Sequence, residues 1–484
     1  MLRLQRTLAL PRFYNKPIPT KLVFTRSTHI KHDVLDELHA RGLVSQVSSS
    51  DQLKNALKTP QALYSGIDPT AKYLHVGHLL PLLCLLHFQL AGHKVIPLIG
   101  GATGLVGDPS GRDTERPLSE HTVVQSNVEY LSDAVTKFLT GALQYARSRL
   151  QSSVDNPIDE LRPPTVMNNL QWLQGVGLLE FLRTVGLHAR VNTMIARESV
   201  QSRLASQQGI SFTEFTYQLL QAYDFYVLNQ REGCTIQIGG SDQWGNIVAG
   251  IELINKLDNQ RSGSPDAGEK TKAKEVFAVT TPLLTTPSGQ KFGKSAGNAV
   301  ALDERVTSVF DFYQFWLRTP DSHVGQYLRM FTLVSLSEIG TALAQHEGNK
   351  ESRSAQQLLA KEVTELVHGE SAMFKAQIAS RVLYESDYST VKTEDILAAL
   401  AGDSRLRLVS QAELLEAPIA KLAVQAKLVS SNSEAKRLVE AKGLYVNNQR
   451  VLNFADTIKT EDLLDNRFVV VRSGSQKQLV LVST

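Results

Sequence analysis

Two histidines, His75 and His78, lie where a short apolar segment gives way to a helix in the sequence YSGIDPTAKYLHVGH at residues 64–78. We expect a buried strand at residues 62–67 and a helix that begins beside the histidines. Unsatisfied N–H groups and the helix dipole attract phosphate at such a terminus. Both histidines could donate hydrogen bonds to a triphosphate, and Gly77 would let a planar base approach the backbone. The spacing also fits two surface or core histidines, or half a metal site that lacks the glutamate of HExxH.

A pair of lysines forms the second candidate, in the sequence KFGKS at residues 291–295. It follows a predicted strand at residues 276–284. Lys291 and Lys294 flank a glycine and would make a flexible cation clamp, with the hydroxyl group of Ser295 beside them. By itself the pattern is more typical of an ordinary basic loop.

Glycine is concentrated in a third segment, GGATGLVGDPSGR at residues 100–112. The segment lacks the GxGxxG of a dinucleotide fold and the GxxxxGK[ST] of a Walker loop. A plain tight turn would need fewer glycines. None of these simpler interpretations therefore accounts for the loop.

A scaffold of alternating strands and helices is predicted from residue 53 to about residue 300, which indicates an α/β domain built on a parallel sheet. Gly92 is placed to end the first long helix in the left-handed conformation. The next strand, at residues 95–99, runs directly into the glycine-rich loop. The polar stretch at residues 261–275 reads as an exposed loop.

Length and composition limit the class of protein. A chain of 484 residues that is 42% hydrophobic suggests two to four domains. No apolar run approaches the roughly 18 residues that a membrane span needs, the longest lying at residues 79–86. Cys84 and Cys234, the two cysteines, are too few for a disulfide framework or a cysteine-based zinc site. This content suits a reducing compartment such as cytosol or mitochondrial matrix.

Taken together, the HxGH turn and the KxxKS loop resemble the HIGH and KMSKS motifs of the class I aminoacyl-tRNA synthetases. Valine replaces the isoleucine of the first motif and Phe-Gly replaces the Met-Ser of the second, but both histidines and both lysines are kept. The tyrosyl branch is especially similar, through Tyr64 with GIDPT, the glycine-rich loop, FTYQLLQAYDF at residues 215–225 and IGGSDQWGN at residues 238–246. The resemblance extends from about residue 35 to the end of the chain.

The resemblance implies a domain order. An α/β, Rossmann-like parallel-sheet catalytic domain would occupy residues 33–303, an α-helical anticodon-binding domain residues 304–410, and a small α+β RNA-binding domain residues 418–484. It also implies ATP-dependent activation of L-tyrosine to tyrosyl-adenylate and transfer of tyrosine to tRNA(Tyr). ATP would be a substrate that arrives with Mg²⁺, without a prosthetic group or a protein-bound metal. Family members are homodimers.

The site roles that the resemblance implies fall into three sets. The tyrosine-binding residues would be Tyr64 and Asp224 at the phenolic hydroxyl, Asp108, Tyr217 and Gln221 at the ammonium, and Gln243 near the carboxylate. The ATP-binding residues would be Gly66, Asp68, Gly77, His78, Gly239, Asp242 and Lys294. The catalytic residues that face the phosphates would be Thr70, His75, His78, Arg112, Arg116, Lys291, Lys294 and Ser295.

A purely structural explanation fits some of these residues better than others. The segment around Tyr217 could be an aromatic-rich helix that packs into a core, and Arg112 and Arg116 could belong to a solvated face. Asp224 is harder to explain in this way, because an unpaired buried carboxylate is costly. A carboxylate suits a phenolic donor, and a carboxylate, an amide and a phenol oxygen suit an ammonium group.

The C-terminal region is locally basic, with ten Lys or Arg against six acids at residues 418–484. We expect two short helices at residues 419–428 and 434–442, the second with a capping box and a stop at Gly443, and strands at residues 444–446 and 468–471. The pattern resembles the RNA-binding module of ribosomal proteins and of bacterial-type tyrosyl enzymes. The RNA-binding residues would be Lys436, Arg437 and Lys442. A helix face solvated by lysines is the alternative.

The N-terminal residues 1–32 carry seven Lys or Arg and no acid, and without them the net charge of +3 becomes −4. An acid-free segment with arginines and with leucines at helical spacing resembles a mitochondrial transit peptide. A disordered basic tail that touches RNA is the alternative. The transit peptide implies that the protein works in the mitochondrial matrix.

Three other functions fit part of the sequence. A tryptophanyl enzyme shares the fold and the two motifs, but would not be expected to carry the Tyr64 and Asp224 pair or the C-terminal module. A catalytically silent RNA-binding relative would be favoured by loss of His78 or Lys294, and both residues are present. A nicotinamide oxidoreductase fits the α/β start but lacks its glycine fingerprint.

Overall fold

The computed structural model describes residues 33–111, 114, 120–150, 161, 163–206, 209–262, 275–284, 300–384, 388, 391–474 and 477–484. Six strands form its first sheet, in the order β1-β6-β5-β2-β3-β4. They are β1 (Gln46–Val47), β2 (Ala62–Ile67), β3 (Lys94–Ile99), β4 (Met167–Asn168), β5 (Cys234–Gly240) and β6 (Phe277–Thr281). β1 is antiparallel to β6, and the other neighbours are parallel.

β2 is the strand at which the order of the sheet reverses. β3 and β4 follow on one side of it, and β5 and β6 lie on the other. Its side chains are almost all buried, as expected for a parallel strand covered on both faces by helices. In open α/β sheets, ligands bind beyond the carboxyl ends of the strands at such a reversal. The sheet therefore places a binding crevice where β2 and β5 end.

Ten helices lie in the described part of this region. They are α1 (Val34–Ala40), α2 (Ser50–Ala56), α3 (Leu79–Leu90), α4 (His121–Leu150), α5 (Leu170–Leu173), α6 (Leu178–Thr184), α7 (Val191–Ile195), α8 (Glu198–Leu204), α9 (Phe212–Glu232) and α10 (Trp244–Ser262). Gly92 adopts the predicted left-handed conformation after α3, with φ +87°. The prediction of an exposed loop at residues 261–275 is wrong for the first two residues, which are the last residues of α10. Residues 263–274 lie outside the described residues.

A helical region follows, made of α11 (Val309–Leu317), α12 (Asp321–Phe331), α13 (Leu336–Gly348), α14 (Ser354–His368), α15 (Glu370–Tyr384) and α16 (Thr393–Ala399). Its apolar residues share one core with the first sheet and α3. A polar cluster reinforces this contact: Arg149 on α4 forms ion pairs with Glu362 and Glu365 on α14, and the Tyr145 hydroxyl donates to Glu362 Oε2 over 2.6 Å. The helical region is therefore firmly attached to the α/β domain.

The second sheet has five strands among the described residues, in the order β7-β11-β10-β8-β9. They are β7 (Leu406–Val409), β8 (Leu444–Val446), β9 (Gln449–Arg450), β10 (Phe468–Ser473) and β11 (Lys477–Ser483), and the helices α17 (Gln411–Glu416), α18 (Ile419–Gln425) and α19 (Asn432–Glu440) cover one face. β7 runs parallel to β11, and the other pairs are antiparallel.

Two details of this domain correct the sequence predictions. Strands were not expected between residues 304 and 418, but β7 belongs to the C-terminal sheet, so the domain begins before the predicted boundary at residue 418. A four-residue strand with one charged residue gives little periodicity from which to predict it. Lys442, with φ +55°, and not Gly443, takes the left-handed conformation after α19. Among the described residues, no helix combines the length and apolar character that crossing a membrane requires.

Candidate active site

A cavity of about 330 Å³ lies at the carboxyl ends of β2 and β5. All the predicted site residues of the α/β domain that the structure describes line it. They are Tyr64, Gly66, Asp68, Thr70, His75, Gly77, His78, Asp108, Tyr217, Gln221, Asp224, Gly239, Asp242 and Gln243. Residues from β2, the turn before α3, the glycine-rich loop, α9 and the end of β5 therefore meet at one site.

The buried end of the cavity holds Tyr64 and Asp224. The ring of Tyr64 packs against Phe225, with 5.5 Å between ring centroids, and its buried hydroxyl has no hydrogen-bond partner among the described residues. Asp224 accepts hydrogen bonds from Nδ2 of Asn169 over 2.9 Å and from Nε1 of Trp172 over 2.8 Å. A phenol oxygen and an oriented carboxylate thus stand side by side, a suitable pair for a ligand hydroxyl.

Burial raises the pKa of Asp224 to about 7, and the two hydrogen bonds from Asn169 and Trp172 partly counteract this rise. The same burial, with the charge of Asp224 beside it, raises the pKa of Tyr64. The tyrosine hydroxyl therefore keeps its proton, while the carboxyl group changes charge near neutral pH. The ability of Asp224 to accept a strong hydrogen bond depends on pH in this range.

A hydrogen-bonded chain runs from this end to the middle of the cavity. Asn169 Nδ2 also lies 3.0 Å from the Thr103 hydroxyl oxygen, Thr103 donates to Asp68 Oδ1 over 2.7 Å, and Tyr217 donates to Asp68 Oδ2 over 2.7 Å. Asp68, which we predict to bind ATP, thus contacts Tyr217, which we predict to bind the ammonium group of tyrosine. Burial and the negative charge of Asp68 raise the pKa of Tyr217.

The other predicted ammonium residues form a second polar cluster. Gln243 Nε2 donates to Asp108 Oδ2 over 2.6 Å, and Asp108 Oδ1 accepts from the Ser110 backbone N–H over 2.9 Å. The amide nitrogen of Asn246 lies 3.0 Å from Gln221 Oε1. This arrangement leaves acceptor oxygens of a carboxylate and an amide close together, which suits a bound cation.

The histidine pair is held by its own turn, Val76–His78, a short 3₁₀ helix before α3. The His75 backbone N–H donates to His78 Nδ1 over 3.0 Å, and the Gly77 backbone N–H donates to His75 Nδ1 over 3.1 Å. A neutral imidazole whose Nδ1 accepts a hydrogen bond carries its hydrogen on Nε2. In their neutral forms both rings therefore carry their hydrogen on Nε2.

Glycines allow close approach of backbone in two places. A Cβ added at Gly100 would overlap side-chain oxygens of Asp68 and Thr103, so the hydrogen bond between those residues requires glycine there. At Gly66 a Cβ would meet nothing within 4 Å. The space over Gly66 is part of the cavity, and a planar group could lie against the backbone there.

Several predicted residues cannot be placed. Arg112, Arg116, Lys291, Lys294 and Ser295 lie outside the described residues. The RNA-binding candidates Lys436 and Arg437 are exposed on α19, and Lys442 is exposed just beyond it. These three belong to the C-terminal domain and are not part of the cavity.

Four polar residues of the site were not predicted: Asn169, Trp172, Thr103 and Asn246. Thr103 and Asn246 lie inside motifs that had been identified, and only their partners were missing. Asn169 and Trp172 follow β4, which has two residues and therefore no alternation of apolar and polar side chains. Only their position, just after the carboxyl end of a parallel strand, could have indicated that they belong to the site.

Comparisons with known proteins agree with this geometry. Residues 55–385 match the family described as tRNA synthetases class I (W and Y), and residues 408–482 match the tyrosine–tRNA ligase SYY-like C-terminal domain. The mitochondrial tyrosine–tRNA ligase of Saccharomyces cerevisiae is 40% identical, with 98% of this chain and 94% of that protein covered. The corresponding mitochondrial protein of Drosophila melanogaster is 41% identical, with 86% of each chain covered.

Solved structures agree as well. A C-terminally truncated mitochondrial tyrosyl-tRNA synthetase from Aspergillus nidulans matches with a TM-score of 0.65 and 33% identity, covering 73% of this chain and 94% of that one. The truncated enzyme from Coccidioides posadasii matches with a TM-score of 0.63 and 34% identity, covering 72% and 91%. The fold and the site define a class I tRNA synthetase. The chain belongs to the tyrosine–tRNA ligase family within that class.

Proposed function

We propose that this protein activates L-tyrosine with ATP and transfers it to mitochondrial tRNA(Tyr). The observation that carries the proposal is the pair at the buried end of the cavity, Tyr64 and Asp224. Asn169 and Trp172 both donate to Asp224, so its remaining acceptor capacity is oriented for a donor on the ligand. A phenolic hydroxyl supplies that donor. Phenylalanine would leave the Tyr64 hydroxyl and the remaining acceptor capacity of Asp224 without a partner, at a high cost in binding.

The rest of the cavity would take ATP. The N–H groups of the His75 and His78 rings would bind phosphate oxygens, and the backbone at Gly66 would lie against the adenosine. The tyrosine carboxylate then attacks the α-phosphate, and pyrophosphate leaves. A ribose hydroxyl of the tRNA next attacks the carbonyl group of tyrosyl-adenylate and takes the tyrosyl group, and AMP leaves. The protein positions the reactants and stabilises the charge that develops on pyrophosphate. Lys291, Lys294, Arg112 and Arg116 are proposed to add positive charge at this step.

Mg²⁺ would enter with ATP. Among the residues that the structure describes, no group of three His, Cys, Asp or Glu side chains is arranged to hold a metal ion. Phosphate oxygens of the nucleotide are the ligands that Mg²⁺ ordinarily prefers. Mg²⁺ bound to the nucleotide would therefore be part of the substrate.

Amino-acid-dependent pyrophosphate exchange tests the activation step. Purified protein should exchange pyrophosphate into ATP with tyrosine and not with tryptophan or phenylalanine, and should then charge a tRNA(Tyr) transcript. Equal exchange with tryptophan would identify the tryptophanyl alternative. Tight RNA binding without any exchange would identify a silent relative.

Mitochondrial location is proposed from the similarity to mitochondrial enzymes and from the acid-free N-terminal segment. Residues 1–32 lie outside the described residues, so the proposal rests on their sequence. A reporter fused to residues 1–35 should enter the matrix, and replacement of Arg3, Arg6 and Arg12 by Glu should block entry. A cytosolic wild-type fusion would contradict the targeting role.

A homodimer is proposed from an exposed apolar surface on α6–α9. Its members are Leu178, Leu179, Leu182, Leu187, Val191, Ile195 and Phe212, and Phe212 is 78% exposed. A concentration of large exposed apolar side chains in one stretch of the chain favours an association site. Leu179→Glu with Phe212→Glu should convert a dimer to a monomer in sedimentation experiments, while Leu452→Glu, at another exposed leucine, should not. A wild-type monomer at micromolar concentration would contradict the proposal.

The C-terminal domain is proposed to bind tRNA through Lys436, Arg437 and Lys442. Their exposure on and just after α19 leaves their charges accessible to phosphate, and such contacts should weaken steeply with salt. Lys436→Ala with Arg437→Ala should raise the KM for tRNA and leave pyrophosphate exchange unchanged. An unaltered KM would contradict this role.

A further inference from the structure

Two inner strands of the C-terminal sheet, β10 and β11, are largely buried on both faces, and a different set of helices covers each face. Side chains alternate along β10 and β11. One set packs with α18 and α19 and comprises Val469, Val471, Leu479 and Leu481. The other set packs with α15 and α16 and comprises Phe468, Val470, Val480 and Val482. Since α15 belongs to the helical region, the two domains share one apolar core.

A carboxylate of the C-terminal domain also caps a helix on the other side of this core. Asp465 Oδ2 accepts hydrogen bonds from the backbone N–H and from the hydroxyl group of Thr393, each over 2.8 Å. Thr393 is the first residue of α16, where backbone N–H groups lack partners within the helix. A negative charge is favourable at this end of a helix.

A second polar contact lies nearby. Asn448 Nδ2, in the turn between β8 and β9, donates to the Tyr388 hydroxyl oxygen over 3.0 Å. The Tyr388 side chain is buried in the shared core. An ion pair between Arg467 and Glu394, at 3.5 Å, is largely exposed and contributes little. Apolar packing and directed hydrogen bonds therefore fix the orientation of the C-terminal domain.

We infer that this contact is a rigid joint and that Asp465 is a positioning residue for tRNA charging. The joint holds α19, with Lys436 and Arg437, in a set orientation relative to the helical region before RNA arrives. Association then avoids the cost of ordering a mobile domain. The inference rests on the proposed function in one respect, that these basic side chains contact tRNA.

Substitutions of Asp465 that add no backbone strain can test its role. It lies at φ +44°, and Asn466 beside it lies at φ +55°, a region that glycine and asparagine tolerate. Asp465→Gly removes the cap, Asp465→Asn keeps an acceptor oxygen, and Asn466→Gly is the control for added backbone freedom. Thr393→Val removes one of the two hydrogen bonds from the opposite side.

Spin labels report the orientation directly. They can be attached at Lys375→Cys on α15 and Ser433→Cys on α19, which are both exposed, because the native cysteines are buried. We expect a narrow distance distribution in the tRNA-free protein, a broad one in Asp465→Gly, partial broadening in Thr393→Val, and the original width in Asp465→Asn and Asn466→Gly. An unchanged width of the distance distribution in Asp465→Gly would contradict the inference of a rigid joint.

The kinetic readout is the KM for tRNA. In Asp465→Gly it should rise about tenfold, which corresponds to one hydrogen bond to a charged group, while the kcat and KM values of pyrophosphate exchange stay unchanged. Broadening without any rise in KM would overturn the positioning role. The label distances are measured without RNA, so they test the joint even if Lys436→Ala with Arg437→Ala refutes RNA binding by α19.

Discussion

Asn169 connects to Asp224 through a single amide nitrogen, which lies 2.9 Å from Asp224 Oδ2 and 3.0 Å from the hydroxyl oxygen of Thr103. The carbonyl oxygen of the same side chain accepts from the Ala102 backbone N–H over 2.7 Å. Asn169 therefore uses both of its amide hydrogens and its carbonyl oxygen to hold the carboxylate at the buried end of the cavity and the glycine-rich loop together.

Replacement of Asn169 by Ala should weaken discrimination between tyrosine and phenylalanine. Asp224 would lose one of its two donors and its fixed orientation, so we expect a loss of about 1–3 kcal/mol in transition-state binding of tyrosine. The measurement is the ratio of kcat/KM for the two amino acids in pyrophosphate exchange. Asn229→Ala, on α9 like Asp224 but bonded to the Cys234 carbonyl oxygen, is the control. An unchanged ratio would show that Trp172 alone orients Asp224.

Tyrosine binding should depend on pH through Asp224. Burial raises its pKa from 3.8 to about 7, and the ionised form accepts the stronger hydrogen bond from a phenol. The KM for tyrosine should therefore fall as the pH rises through about 7, and in Asp224→Asn it should be higher and independent of pH in this range. A wild-type KM that is flat across this range would contradict the shift.

A rise in pH should strengthen tyrosine binding but should lower the stability of the substrate-free protein. Because the pKa of Asp224 is higher in the folded protein than in the unfolded chain, the folded protein binds more protons between pH 3.8 and about 7. The free energy of unfolding therefore falls as the pH rises through this window. Denaturant titrations of the substrate-free protein should show this loss, and Asp224→Asn should reduce it.

Two glycine substitutions separate binding from folding. Gly66→Ala places its methyl group in open space within the cavity, so the thermal midpoint should be unchanged while the KM for ATP rises. Gly100→Ala forces Asp68 and Thr103 apart and should cost about 1–3 kcal/mol of stability. Equal effects of the two changes on the KM for ATP and on the midpoint would contradict the assignment of Gly66 to the adenosine site.

The cluster between α4 and α14 should be a large source of stability. Glu362 is buried, and removing Arg149 would leave its charge uncompensated, at a cost of about 3–5 kcal/mol for Arg149→Met. Arg305→Met breaks the ion pair with Asp303, in which the arginine is 68% exposed, and should cost at most about 1 kcal/mol. Urea unfolding of both variants tests the contrast, and similar losses would contradict it.

Much of the fold could be read from local patterns. β2 and β8 have the predicted bounds because apolar residues between turn signals define them. Asn447 and Asn448 both adopt left-handed conformations in the turn that follows β8. Ser431 caps α19 as expected, by accepting from the Glu434 N–H over 3.2 Å. The other half of the capping box is absent, because Glu434 Oε2 accepts from the Ser430 N–H over 2.7 Å rather than from Ser431.

The site was predictable only in part, for a physical reason. His75, Asp108 and Asp224 belong to motifs with several specified positions, so the sequence identifies them. Asn169 and Thr103 act through partners that lie 55 and 35 positions away in the chain, Asp224 and Asp68. No local pattern encodes such pairings, which appear only when the sheet brings the strand ends together.

Because helices cover both faces of the C-terminal sheet, they limit how the C-terminal domain can be exchanged between related proteins. β10 and β11 carry apolar side chains on both faces, so a C-terminal domain exchanged on its own would need a face that fits α15 and α16. A functional chimera would have to bring α15 and α16 with the new sheet, or acquire matching substitutions on both. Substitutions at Ile378 or Val382 on α15 and at Phe468 or Val480 on the strands should therefore covary among descendants of this sequence.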